Sequence, residues 1–280
     1  MRAIGAALAL LLTVACSQIC AQEAAKFGPT PTLVVIPETY KGVEIQLRTW
    51  VQTPSGAGPF NTVMLVPGCN GLDTNGWEQM QTWAAWLMRL NYAVMMIDSF
   101  TPRNVTNTCG NGETVQGQLH AADLYTAATY ISRLPQFRGR KIGAMGFSHG
   151  GWGILEAASD RISGIDELRA RLAKEHIGIA AFVAVYPACY RHIRSSFAVP
   201  LLIIIGENDD WTPAWPCRQL AAYPRLPGPE LYLKIYPRAF HVFDVDKPPR
   251  RYVGHELEYN AEATANARRE IQDFFGRLLQ

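Results

Sequence analysis

The sequence predicts an α/β protein built on a mostly parallel, doubly wound sheet with helices on both faces. Three observations carry that expectation. Short continuous apolar runs at 62–66, 93–97, 142–147, 179–186 and 200–205 read as strands covered on both sides. Between them lie stretches with apolar residues at helical spacing. The two kinds alternate along the chain, which is the pattern of strand-helix-strand crossovers. With 280 residues, 48% of them hydrophobic, one domain with a large core is expected. The net charge is +2 and no basic run occurs, so no electrostatic footprint for a nucleic acid is visible and none is expected as a partner.

The N-terminus reads as a targeting segment. Arg2 is a minimal positive region, residues 3–15 are apolar, and small and polar residues follow. Residues 1–21 are read as a signal peptide cleaved after Ala21, which implies a periplasmic or secreted protein. The rival is cleavage before Cys16, giving a lipid anchor, because Thr13-Val14-Ala15-Cys16 loosely resembles a lipobox. The apolar stretch is too short to span a bilayer comfortably, so no membrane span is expected. Residues 22–42 are read as an N-terminal linker, broken by prolines near its middle, and residues 43–280 as the folded domain.

Residues 43–51 alternate, with Val43, Ile45, Leu47, Thr49 and Val51 on one face, as a half-exposed strand does. The buried run 62–66 follows and delivers Pro67-Gly68-Cys69-Asn70-Gly71. Met80, Trp83, Leu87 and Leu90 then form a helical stripe, with Asp73, Thr74 or Asn75 available to cap it. The next strand ends at Asp98-Ser99-Phe100, and a long polar stretch containing Arg103, Cys109, Gly110 and Gly112 reads as pocket rim. A helix over 115–134 has Ala121, Leu124, Ala128, Ile131 and Leu134 inward. Residues 161–176 are charged and helical in composition. Thr212 as N-cap with Pro213 at the first helical position starts a later helix. A last strand over 231–236 precedes Phe240-His241-Val242-Phe243, and residues 260–279 close the chain as an amphipathic helix.

Two of the six cysteines, Cys16 and Cys20, lie in the leader. Cys69, Cys109, Cys189 and Cys217 remain, an even number in an exported chain, which suggests two disulfides. Four cysteines permit three pairings. Cys69–Cys109 with Cys189–Cys217 is preferred, because each pair then joins loops that follow neighbouring strands.

The chemistry centres on Gly146-Phe147-Ser148-His149-Gly150, which fits G-x-S-x-G between a β-type run and a helix-compatible run. At such an elbow a serine is lifted clear of the backbone at the end of a strand. A serine hydroxyl is a poor nucleophile at neutral pH and needs a base. Ser148, Asp209 and His241 all fall at the carboxyl ends of predicted strands, where reactive groups gather in such sheets. His241 is the expected base and Asp209 its orienting carboxylate. Asp210 is the rival, and Asp209 is preferred because it precedes the turn set by Thr212 and Pro213. His149 adjoins Ser148 and should diverge from it. His120, His176, His192 and His255 are read as surface or structural, with His255 the reserve base. The backbone amides of Cys69 and His149 are the expected oxyanion donors. Asp98, Phe100, Arg103, Trp211 and Phe240 are candidate pocket residues. No H-E-x-x-H or clustered ligand spacing occurs, so no metal is expected.

The blocks Gly146-Phe147-Ser148-His149-Gly150-Gly151, Gly206-Glu207-Asn208-Asp209-Asp210-Trp211-Thr212-Pro213 and His241-Val242-Phe243-Asp244 resemble the dienelactone hydrolase family of the α/β-hydrolase fold. Pro67-Gly68-Cys69-Asn70-Gly71-Leu72 and Asp98-Ser99-Phe100 with Arg103 match as well. The resemblance implies cofactor-free hydrolysis of a small ester or lactone, with nucleophile, acid and base falling on Ser148, Asp209 and His241. It departs at two places. Archetypal members use a cysteine nucleophile where this chain has Ser148, and a glutamate where Gly68 or Cys69 stands. The reaction class therefore carries over, while dienelactone itself does not. A peptidase or acyltransferase on the same fold, and a noncatalytic binding protein, are the alternatives.

Overall fold

The computed structural model describes residues 27–160, 166–174, 177–225 and 228–280. The expected leader, with Cys16 and Cys20, lies outside the described residues. Strands β1 (Thr32–Tyr40), β2 (Val43–Gln52), β3 (Thr62–Val66), β4 (Ala93–Asp98), β5 (Ile142–Phe147), β6 (Ile179–Val185), β7 (Leu201–Gly206) and β8 (Leu231–Tyr236) form one sheet in the order β1-β2-β4-β3-β5-β6-β7-β8. Only β2 runs against its neighbours, and the six strands from β4 to β8 are parallel. Their carboxyl ends therefore share one edge.

The helices are α1 (Thr74–Arg89), α2 (Gly117–Ser132), α3 (His149–Ala158), α4 (Asp166–Lys174), α5 (Ala214–Ala222) and α6 (Ala261–Leu278). Successive strand residues face opposite sides of a sheet, so β5 shows how they are divided. A Cβ added at Gly143 would meet Phe275 and Leu279, whereas one at Gly146 would meet Ile154. The side bearing α6 also carries α1, whose Trp83 ring packs 5.6 Å from Phe147. Helix α3 lies on the other side. The central strands β3, β4, β5 and β7 are buried along their whole length, which is why they read as unbroken apolar runs. Asp73 caps α1 by accepting from the Gly76 amide at 2.8 Å, and Asn260 caps α6 through the Ala263 amide at 2.9 Å.

Three expectations are corrected. Residues 32–40 of the expected linker are strand β1. Its prolines read as breaks, but an edge strand tolerates Pro37, and buried Glu38 interrupts the apolar alternation that would have marked it. Thr212 does not cap α5. Pro213 holds that position, because the Thr212 hydroxyl is engaged with the Tyr186 carbonyl and Asp209. Finally, a small hairpin, β9 (Arg250–Tyr252) with β10 (His255–Leu257), was not expected; its strands are three residues long and mostly exposed, too short to show a period.

Both preferred disulfides are present, Cys69–Cys109 and Cys189–Cys217. Among the described residues, no helix is long and apolar enough to cross a membrane.

Candidate active site

Strand β5 ends at Phe147 and passes into Ser148, whose backbone has φ 51° and ψ −112°, a positive-φ conformation that a side-chain-bearing residue adopts at a cost. The tight turn into α3 survives because two neighbours are glycine. A Cβ at Gly146 would run into the Gly150 carbonyl, and one at Gly150 into the carbonyls of Val66 and Pro67. The Ser148 Oγ consequently stands out at the carboxyl edge.

His241 follows β8 and is almost wholly buried. Its Nε2 lies 2.9 Å from Ser148 Oγ and its Nδ1 2.7 Å from Asp209 Oδ2. Asp209 follows β7. Its Oδ1 takes the Trp211 amide at 3.0 Å and the Thr212 amide at 2.8 Å, and the Thr212 hydroxyl lies 3.0 Å from Oδ2. With the carboxylate only accepting, His241 Nδ1 carries the proton, and Nε2 is left bare toward the serine hydroxyl. That arrangement can draw a proton from Ser148 and return it to another oxygen at the same place. Asp210 points elsewhere, 3.6 Å from His255 Nδ1, and His255 stacks on Trp211 with ring centroids 4.7 Å apart.

Tyr186, at the end of β6, packs its ring 4.7 Å from the His241 imidazole. Its hydroxyl donates to Asp244 Oδ1 at 2.8 Å, and Trp83 Nε1 and Gln79 Nε2 donate to Oδ2 at 2.7 and 2.9 Å. Burial, then the Asp244 carboxylate, pushes the Tyr186 phenol well above its ordinary range, so it remains a neutral donor. Sequence reasoning missed Tyr186 and Gln79. The strand-end position of Tyr186 was the signal that could have found it.

The loop after β3 runs beside the elbow: a Cβ on Gly68 would sit 3.5 Å from the Ser148 Cβ. The Cys69 residue of that loop and Ser148 border two clefts. The first, with an empty volume of about 710 Å³, is walled by Gln79, Tyr186, His241, Val245, Tyr252 and Leu257. The second, about 680 Å³, is walled by Gly112, His149, Trp152, Tyr190 and Thr212. Trp211 stands between them and borders both. The first amide of α3, that of His149, has no helical carbonyl one turn back to satisfy it, which leaves a free N–H at the elbow.

Of the candidate pocket residues, Trp211 alone borders these clefts. Asp98 turns back on the chain and accepts from the amides of Phe100 and Thr101 at 3.1 and 2.9 Å. Phe100 is buried under Gly71, where an added Cβ would meet its ring at 2.6 Å. Arg103 is consumed by a two-pronged pair with Asp123, at 2.9 and 2.7 Å, and by the Ser99 carbonyl at 2.8 Å. Phe240 is partly buried and borders neither cleft. Asp98, Phe100 and Arg103 lie at or just after a strand end, as expected, but local hydrogen bonds or packing turn their side chains away.

A parallel sheet carrying a strained serine elbow, with a histidine and an aspartate from later strand ends, defines the α/β-hydrolase class. The chain belongs to the dienelactone hydrolase family, whose model matches residues 47–279. In overall structure it is similar to dienelactone hydrolase from Anabaena variabilis, at 18% identity and a TM-score of 0.59, covering 89% of this chain and 99% of that one. It is also similar to esterase 2 of Thermogutta terrifontis, at 15% identity, TM-score 0.62 and coverage of 89% and 94%. Est1E from Butyrivibrio proteoclasticus gives 12%, 0.56, and 88% and 98%. At these identities the likeness is one of fold. No protein of curated function matches the chain.

Proposed function

We propose that this protein is a serine esterase that cleaves a carboxylic ester or lactone through an acyl-enzyme. Ser148 Oγ attacks the carbonyl carbon while its proton passes to His241 Nε2. Asp209 holds the imidazole in the required tautomer and stabilises the imidazolium. The tetrahedral oxyanion is held by the amides of Cys69 and His149, where one donor of this kind is worth roughly 3–4 kcal/mol of barrier. His241 then gives its proton to the leaving alkoxide. Water, deprotonated by the same imidazole, attacks the acyl-enzyme and regenerates Ser148. Protons and bonds balance with these side chains and water alone.

The observation that carries this reading is the unbroken line from Ser148 Oγ through His241 to Asp209, at 2.9 and 2.7 Å. The two clefts that meet at Ser148 suit the two halves of an ester. His241 must reach the leaving oxygen and borders only the first cleft, so the alcohol half occupies that one. The acyl half then lies in the second, against Trp152 and Tyr190. Two disulfides also support export to an oxidising compartment, periplasmic or extracellular.

The test is labelling with a fluorophosphonate, alongside turnover of short esters, long esters, lactones and peptides. Paraoxon is a second probe, since esterase 2 of Thermogutta terrifontis is phosphorylated by it. Wild type should label at Ser148 and turn over esters, while Ser148→Ala does neither. Absence of labelling in folded wild type, or turnover of peptides alone, overturns the reading.

A further inference from the structure

A row of three buried polar side chains, Ser99, His120 and His149, runs behind the elbow and ends on the Gly112 carbonyl. Ser99 Oγ is 2.8 Å from His120 Nδ1, His120 Nε2 is 2.9 Å from His149 Nδ1, and His149 Nε2 is 2.8 Å from the Gly112 carbonyl. The direction of every bond follows from the last one. A carbonyl only accepts, so His149 Nε2 carries the hydrogen, and in a neutral ring Nδ1 is then bare. His120 Nε2–H must donate to it, which leaves His120 Nδ1 to accept the Ser99 hydroxyl proton. Both rings are neutral. Burial holds the His120 imidazole well below its ordinary range, with the neighbouring His149 and Arg103 adding to the effect. Burial also lowers that of His149, against a smaller opposing pull from the Gly112 bond and Glu113.

The pair is tightly enclosed. His120 is fully buried, Phe100 lies 5.6 and 5.8 Å from the two rings, and Trp152 lies edge-on 5.5 Å from His149. Helix α2 brings His120 in only because residue 153 is glycine, since a Cβ there would run into the Cβ of His120.

The loop at the far end of this row closes a circuit. Residues 108–112 hold the His149 ring through the Gly112 carbonyl, and they hold Cys69 through the Cys109 disulfide and through the Thr108 amide and hydroxyl, which donate to the Cys69 carbonyl at 2.8 and 3.4 Å. Cys69 and His149 are the two residues whose amides the proposed mechanism aims at the oxyanion. We propose that His120 is a positioning residue for this oxyanion site: through the His149 ring and the 108–112 loop it fixes the spacing of the Cys69 and His149 amides. This inference rests on the esterase reading and adds to it a residue that touches neither substrate nor Ser148.

The experiment compares wild type with His120→Phe, His120→Gln and Ser99→Ala, active sites being counted by phosphonate titration. Phenylalanine fills the space without a donor, whereas glutamine can present an amide N–H near the place of Nε2. Misaimed donors weaken the transition state and not ground-state binding. His120→Phe should therefore lower kcat per titrated site about 10- to 100-fold, a part of what loss of a whole donor costs. KM should stay within about twofold, and a trifluoromethyl ketone of the same acyl chain should bind more weakly by the same factor as kcat. His120→Gln should recover most of the loss. A purely structural role would lower the melting temperature and leave kcat per titrated site unchanged, which overturns the proposal. Should His120→Phe not fold, Ser99→Ala decides, with a drop in kcat at constant KM expected and an unchanged kcat overturning it. Wild type that titrates normally while His120→Phe keeps full kcat sinks this inference alone; wild type that fails to titrate takes the esterase reading with it.

Discussion

Replacing Asp209 by asparagine should abolish nearly all turnover while leaving the fold in place, and the reason lies in which oxygen is committed to what. Asp209 Oδ1 accepts two backbone amides, from Trp211 at 3.0 Å and Thr212 at 2.8 Å. An asparagine must keep its carbonyl oxygen there, because its amide nitrogen cannot accept those bonds. The nitrogen is then forced into the place of Oδ2, 2.7 Å from His241 Nδ1. Two donors cannot face each other, so the imidazole proton moves to Nε2, which points at Ser148 Oγ from 2.9 Å. The base now presents a hydrogen where it should present a lone pair. In a serine protease the same exchange costs about 10⁴ in kcat, or about 5.5 kcal/mol of barrier. The expected loss here is of that order. Asp210→Asn is the control, since Asp210 sits 3.6 Å from His255 and its side chain is 43% exposed. Its kcat/KM should stay within about threefold of wild type, as for a surface pair worth at most about 1 kcal/mol. Initial rates with p-nitrophenyl butyrate, beside circular dichroism spectra, measure both variants. Activity of Asp209→Asn within tenfold of wild type, or a larger loss for Asp210→Asn, would refute the reasoning.

Glu38, buried beside Asp123, has its carboxyl pushed up to about 9 by burial and then by the Asp123 carboxylate, against a smaller opposing pull from Arg103. An acid raised in the folded state destabilises progressively from its unfolded value of 4.5 up to about pH 9, so Glu38→Gln should raise stability at pH 7 and above, on the order of 3 kcal/mol, and by almost nothing at pH 4. Urea midpoints at the two pH values give the comparison, and an equal gain at both would contradict it. The neutral His120 and His149 act with the opposite sign: their lowered values mean the unfolded chain takes up protons first, so stability should be full above about pH 6.5 and fall below it. His120→Gln should make that acid slope shallower by up to about 1.4 kcal/mol per pH unit. Serine at both Cys69 and Cys109 releases a loop with a sequence separation of 40 and should cost about 4 kcal/mol in the chain-entropy model, read by denaturant titration. If the acyl group lies against Tyr190, Tyr190→Ala changes deacylation equally for esters of every alcohol, whereas Leu257→Ala changes only acylation, in proportion to the size of the alcohol. Pre-steady-state bursts separate the two, and the reverse pattern would exchange the clefts.

Much of the scaffold was legible because it rests on short-range rules. Strands β3 and β5 match the expected spans at both ends, since burial on two faces leaves an unbroken apolar run and the next residues are turn formers. The elbow was legible because a strained serine between a strand and a helix demands small neighbours at fixed offsets. Strand β1 was hidden by Pro37 and Glu38, whose acceptability depends on being at an edge and beside Arg103, and the β9–β10 hairpin was hidden by its length.

What the sequence settled by itself is the central strands of the sheet and the order in which Ser148, Asp209 and His241 meet the same edge of it. That order follows from chain direction and strand polarity, which local patterns encode. What only the tertiary structure decided is where each side chain turns on arrival: that Asp209 and not Asp210 faces His241, that Arg103 is spent on Asp123, and that His120 lines up behind His149. These choices depend on which acceptors and donors the fold brings within about 3 Å of one another across dozens of residues, and no periodicity along a chain records such meetings.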